Sequence, residues 1–207
     1  MNLTGILVAY SIFFVGIFSP GPNILAVINT SMSVDRPSGK ALAMGIASGS
    51  FLWGMLAWLG LTSLLVAFSS LMVLIKITGA VYLFWLAIKA FRSAATRKEL
   101  VAQKLANTSG LYDYYRRGLI IQMTNPKAAL TWTATMALGL SPSAPWWIGG
   151  IIVFGTTIIS FVGHIGYAVA FSTRPMVNTY LRARRWIEAS LGIFFCFASY
   201  KLLTSKN

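Results

Sequence analysis

Two short polar breaks interrupt otherwise apolar stretches of this chain: Ser19-Pro20-Gly21-Pro22-Asn23 and Asn125-Pro126-Lys127-Ala128. A proline inside a helix removes an N–H donor and clashes with the carbonyl four residues earlier, so each break frees backbone polar groups. Gly21 lets the backbone approach a ligand closely, and Pro22 can start a new half-helix whose N-terminal end presents a positive dipole to an anion. Lys127 adds a full charge, while Asn23 and Asn125 can satisfy freed carbonyls or hold an amine. That is chemistry for a small zwitterion, with its carboxylate at the half-helix start and Lys127. The candidate substrate-binding set is Pro20, Gly21, Pro22, Asn23, Asn125, Pro126 and Lys127. For a single break, a simple kink is as good an explanation as a site; two breaks at matched depth favour the site.

The remaining ionisable groups are few. His164 can titrate near neutral pH and relay a proton, though a histidine hydrogen-bonded to a neighbouring helix is the blander reading. The acids are Asp35, Glu99, Asp113 and Glu188, and none is expected at mid-depth. A carrier of lysine or arginine would want a carboxylate for the side-chain cation. Its absence points to neutral, zwitterionic substrates and leaves Asp35, His164 or the substrate itself as candidates for proton coupling. Cys196 is the single cysteine. No disulfide can form within the chain, and no Cys/His cluster has metal-ligand spacing, so neither a metal nor a cofactor is expected.

These breaks must be positioned by membrane spans. Of 207 residues, 57% are hydrophobic and 10% charged, against about 25% charged in soluble domains. The charges cluster between long apolar runs, which excludes a soluble enzyme, a disordered tail and a disulfide scaffold, and leaves a polytopic all-α membrane protein. A closed barrel is excluded because its strands would alternate apolar and polar residues. Six candidate spans are Leu3–Ile28, Ala41–Phe68, Leu71–Ala90, Gly118–Leu140, Trp146–Phe171 and a short Ile187–Leu203. Ala41, Gly45 and Gly49 form a small-residue stripe for helix contact. The N-terminus reads as a retained first span, not a removable signal peptide.

The net charge of +13 fits loops held against an anionic inner leaflet better than it fits nucleic acid, and no nucleic-acid partner is expected. Arg36 and Lys40 fall in the first connection on one side, seven basic residues between Lys89 and Arg117 in the next, and Arg174, Arg182, Arg184 and Arg185 in the last. The opposite side holds only Lys76, Lys201 and Lys206, which places the basic side in the cytoplasm and both termini outside.

The spans read as one transmembrane domain with two three-helix repeats, about 1–91 and 118–207, joined by a charged cytoplasmic linker of about 92–117. An odd number of spans per repeat inverts the second copy, a plan that puts a transporter's substrate site at the repeat interface. At 1.5 Å per residue, Pro20 is roughly 15 Å from the cytoplasmic end of its span and Pro126 roughly 12 Å from Gly118. Both depths are near the midplane of a core about 30 Å thick.

The Ser19-Pro20-Gly21-Pro22 break, Gly39-Lys40-Ala41…Gly45, Lys76…Gly79-Ala80-Val81-Tyr82-Leu83…Trp85-Leu86, Arg117-Gly118 with Asn125-Pro126-Lys127-Ala128-Ala129, and the Gly192 helix occur in an order and spacing that resembles the LysE-type translocators. More narrowly, the pattern resembles the homoserine, threonine and neutral amino-acid exporter branch. Two departures are Gln122-Met123-Thr124, where that family often shows another Asn before Asn125, and Gly163-His164-Ile165-Gly166 in the fifth span. The resemblance implies a bacterial inner-membrane, multi-pass efflux carrier that is not an enzyme. It would take a small-molecule amino acid, use the proton gradient, work in a lipid bilayer, and be compatible with a homo-oligomer. The rivals are a carrier or channel for another solute or a metal ion, a non-transporting membrane sensor, and a membrane-embedded enzyme. The last lacks a nucleophile or metal constellation at depth.

Overall fold

A computed structural model describes residues 3–19, 21–67, 70–96, 110–140 and 144–204. Among these residues the regular structure is entirely helical: α1 (Leu3–Phe18), α2 (Pro22–Ser33), α3 (Arg36–Ala67), α4 (Ser70–Ala95), α5 (Leu111–Met123), α6 (Pro126–Gly139), α7 (Trp147–Ala170) and α8 (Arg174–Thr204). The first and fourth expected spans are therefore each divided in two, at the places where proline removes a donor. The axes of α1 and α2 differ by 48° across their break.

Several helices outrun the apolar stretches that suggested them. α3 begins at Arg36 instead of Ala41, α4 continues past Lys89 and Arg92, and α5 starts at Leu111, inside the expected linker. The helix expected at Ile187 begins at Arg174 and has 31 residues. Hydropathy marks what hydrocarbon can accept, whereas caps and backbone propensity decide where a helix ends. Asp35 shows this directly: its Oδ1 accepts the Ser38 N–H at 2.7 Å and opens α3. Asp113 does the same for α5 by accepting the Gly110 N–H at 3.2 Å.

By length and apolarity alone, Arg36–Gly60 within α3 and Trp147–Ala170 are long enough to cross a bilayer, and α1 with α2 qualifies as one bent span. The outward face of α7 supports immersion in lipid. Ile151, Phe154, Ile158 and Val162 recur every three or four residues along it and are exposed, an apolar stripe that none of the described residues covers.

α3 packs on α7 and α4 on α8, with α1 against α6 and α3 against α5. Small residues set the closest approaches. A methyl group added at Gly45 would run into the Tyr115 carbonyl of α5, and one at Gly118 would run into the Leu42 carbonyl of α3. Gly49 lies against the Gln122 side chain, so the Ala41–Gly49 stripe does serve helix contact. α4 and α8 are joined by a polar clamp as well as by Leu83, Ala87, Leu191 and Phe195. There the Ser93 hydroxyl donates to Glu188 Oε1 at 2.8 Å and accepts from Arg184 Nη2 at 2.9 Å.

Gly45→Ala and Gly118→Ala should each force α3 and α5 apart and cost at least about 1–3 kcal/mol, the usual penalty for overpacking. Gly60 has nothing among the described residues within 4 Å of an added Cβ, so Gly60→Ala should leave stability unchanged or slightly raised. Thermal unfolding of the three detergent-solubilised variants separates the two outcomes.

Candidate functional site

The two helix breaks meet. Asn125 is the N-cap of α6, its Oδ1 accepting the Lys127 N–H at 3.0 Å, with Pro126 in the first turn where no donor is needed. The same amide turns its Nδ2 toward the other break and donates to Asn23 Oδ1 at 2.9 Å. Asn23 in turn donates through Nδ2 to Gln122 Oε1. The Gln122 carbonyl, near the end of α5, is capped by the Trp53 indole N–H at 3.1 Å. Lys127 closes the ring: its Nζ donates to the Ser19 carbonyl at 2.6 Å, a group at the end of α1. Every donor and acceptor in this chain lies on a different helix from its side-chain partner, except the Asn125 cap.

Gly21 is the N-cap of α2 and is extended, with φ −163° and ψ −176°. The fit against the second break is close: an added Cβ would sit 3.3 Å from Lys127 Nζ and 3.4 Å from its Cδ, so the lysine would have to give by a few tenths of an ångström. Lys127 does not reach back toward an aqueous interface, since its ammonium is held inside the bundle on a backbone carbonyl.

A cavity of about 440 Å³, counting its open mouth, lies at this junction. Gly21, Asn23, Gln122, Asn125 and Lys127 line its polar side, and Phe13, Ile17, Ile24 and Trp132 its apolar side. Trp132 is fixed by an indole N–H to Ser50 Oγ bond of 3.1 Å and by the Phe13 ring, 4.8 Å away between centroids. The N-terminal ends of α2 and α6 both face this space. Their partial positive charges and Lys127 make it a site for an anionic group, and amide oxygens beside them suit an ammonium.

His164 also lines the cavity and is 3% exposed. Its partner is on its own helix, one turn back, not on a neighbour: Nδ1–H donates to the Ser160 carbonyl at 2.9 Å. That bond leaves Nε2 as the acceptor of the neutral ring. Asp35 is not brought to the site. It is exposed and spends its carboxylate on capping α3. Pro22 and Pro126 shape the half-helices without lining the cavity, and Pro20 lies outside the described residues.

Sequence reasoning missed Gln122, Ser50, Thr131 and Trp132. Gln122 had a legible signal, a buried amide in an apolar span, which membrane helices rarely carry without a partner. Glu188, expected near a cytoplasmic end among basic neighbours, is 2% exposed in the α4–α8 interface, with the basic Arg184 Nε 3.9 Å from its carboxylate.

Comparison with known proteins gives the family. The LysE type translocator family matches residues 14–206. The chain belongs to that family. It is 27% identical to the uncharacterized membrane protein YahN of Escherichia coli (strain K12), over 99% of this chain and 93% of that protein. It is 26% identical to the threonine efflux protein of the same strain, over 94% and 95%. Against the leucine efflux protein of Enterobacter sp. (strain 638) it is 30% identical over 87% and 83%. No solved structure matches the chain. As a family member built of apolar helices, this translocator is a multi-pass membrane protein.

Asn23→Ala and Asn125→Ala should each lower thermal stability, Asn125→Ala by more because it also removes a cap worth about 0.5–2 kcal/mol. The double variant should lose less than the sum of the two. A coupling of about 0.5–3 kcal/mol is the range for contacting residues. Strict additivity in a double-mutant cycle would show that the breaks are not in contact.

Proposed function

We propose that this translocator is a secondary-active exporter of a neutral amino acid or derivative, of the threonine, homoserine or leucine kind. Transport is by alternating access across the bacterial inner membrane and is driven by the proton gradient. The observation that carries the reading is the cavity in which Lys127 and the starts of α2 and α6 converge beside an apolar wall. The amino acid's carboxylate displaces the Ser19 carbonyl from Lys127 and takes the two half-helix N-termini. Its ammonium takes the Asn23, Gln122 and Asn125 oxygens, and its side chain lies against Phe13, Ile24 and Trp132. The threonine and leucine efflux relatives support neutral substrates. So does the cavity lining, which among the described residues contains no Asp or Glu for a second cation.

In this reading the six spans are α1 with α2, α3, α4, α5 with α6, α7 and α8, and each set of three is one inverted repeat of a single domain. The basic ends of α3, α5 and α8 face the cytoplasm and both termini the periplasm, in line with the distribution of Lys and Arg. Proton coupling is assigned to His164, the titratable group besides Lys127 in the cavity lining, with Nε2 as the exchanging position.

Inside-out membrane vesicles test this directly. Gradient-dependent uptake of labelled threonine, homoserine or leucine should exceed that of arginine. Lys127→Ala should cut uptake at subsaturating substrate by roughly 10- to 100-fold, the value of one charged hydrogen bond, while the protein remains inserted. His164→Gln should retain substrate binding but lose the response to the gradient. Wild-type rates in Lys127→Ala would remove the site from the account, and arginine as the only substrate would remove its specificity.

A further inference from the structure

Among the described residues, α4 contributes nothing to the lining of the central cavity, yet one of its side chains stands behind that lining. Tyr82 is 7% exposed and packs with Leu83, Leu86 and Ala134, its ring stacked on Trp85 at 5.7 Å between centroids. The Tyr82 hydroxyl is sealed in the bundle without a hydrogen bond of normal geometry to any described residue. What it approaches is the side chain of Thr131 on α6, and Thr131 lines the cavity. A sealed hydroxyl without a full partner is unfavourable, so this one calls for a reason beyond packing.

Thr131 differs from the threonines around it. Thr133 and Thr135 on the same helix, and Thr156 and Thr157 on α7, turn their hydroxyls back onto carbonyls of their own helices. The Thr131 hydroxyl makes no such bond among the described residues. Nor is it one of the sealed, partnerless hydroxyls, so it is open to the space that the residue lines. The methyl group is turned the other way, toward α1: a Cβ added at Gly16 would stand 2.9 Å from Thr131 Cγ2 but 3.9 Å from Oγ1. The hydroxyl is thus the atom that meets both Tyr82 and the cavity. Thr131 also follows Lys127 by four residues, which puts the two on one face of α6, about 6 Å apart along its axis. A small amino acid held at Lys127 by its carboxylate spans that interval with its side chain.

We propose that Thr131 is the residue that reads the substrate's side chain and that Tyr82 positions it. The Tyr82 O–H donates to Thr131 Oγ1, and the Thr131 O–H donates to an oxygen on the substrate's β- or γ-carbon. That oxygen fixes the Thr131 rotor and completes the bond that Tyr82 otherwise lacks. A substrate with a methyl group in the same place satisfies neither hydroxyl and binds less well. The favoured class is therefore hydroxylated neutral amino acids over aliphatic ones of the same shape. The proposal deepens the exporter reading and rests on it for the carboxylate at Lys127, but the selectivity can be measured without transport.

Threonine and valine differ by a hydroxyl in place of a methyl, so their affinities for the detergent-solubilised full chain isolate the contact. Each is titrated by its stabilisation of the protein against heat. The wild type should bind threonine roughly 2- to 10-fold more tightly than valine, the factor for one neutral hydrogen bond. Thr131→Val should make the two affinities alike by weakening threonine alone, and Thr131→Ser should keep the preference. Tyr82→Phe should shrink the preference while valine affinity and the stability of the ligand-free protein stay unchanged, because the hydroxyl it removes has no full partner. Equal affinities in the wild type, or an unchanged preference in Thr131→Val, would overturn the subsite. A Tyr82→Phe variant that weakens both amino acids alike would overturn the positioning role and leave Tyr82 a packing residue. Stabilisation by neither amino acid would remove the exporter reading and the subsite with it, whereas equal stabilisation by both would remove the subsite alone.

Discussion

Backbone groups freed inside a membrane have no water to turn to, and this constraint organises the structure. Two helices are interrupted, and each interruption leaves carbonyls and N–H groups inside the helix bundle, where an unsatisfied one costs several kcal/mol. The protein meets the cost by facing the breaks toward each other. Lys127 from the second break serves the Ser19 carbonyl of the first, Asn125 serves both its own helix start and Asn23, and Trp53 from α3 serves the Gln122 carbonyl. A cavity follows almost automatically, because non-helical backbone cannot pack as tightly as helix against helix. Its polarity is set by the same groups that repair the breaks.

The rest of the bundle supports that junction. α3 can lie close enough to α5 to deliver Trp53 because Gly45 and Gly118 present bare backbone to each other's helix. α4 and α8 are held by the Ser93, Arg184 and Glu188 clamp together with Leu83 and Phe195. This pair packs against the back of α6 through Ala134 and neighbours, and so stands behind the wall that carries Lys127. Buried polar clamps are weak stabilisers but demand one geometry, since separating the partners strands a charge. The close glycine contacts and the amide chain have the same quality: they specify position more than they add stability.

Lys127 shows how the site can remain both stable and responsive. Its partner in the ring is a neutral carbonyl, so a carboxylate can replace that partner with a gain in charge-assisted bonding. The amide chain is of the same kind: Asn23, Gln122 and Asn125 exchange one amide for another, bonds of ordinary strength that in the proposed transport cycle a zwitterion's ammonium and carboxylate replace.

The sequence alone determined the class, the two breaks and most residues of the polar junction. Charge content and apolar run length decide between water and lipid without reference to tertiary structure, and proline chemistry marks Pro22 and Pro126 as half-helix starts wherever they fold. Helix ends were less legible. The extensions of α3, α4, α5 and α8 depend on caps such as Asp35 and on amphipathic charged turns that hydropathy reads as loop. Pairings could not be read at all. That Lys127 bonds to Ser19, that Gln122 meets Asn23, that His164 turns back on Ser160 and that Glu188 is buried beside Arg184 are facts of distances between residues far apart in the chain or of which way a side chain rotates. Periodicity identifies the face of a helix, but only the packing of several helices decides what that face meets.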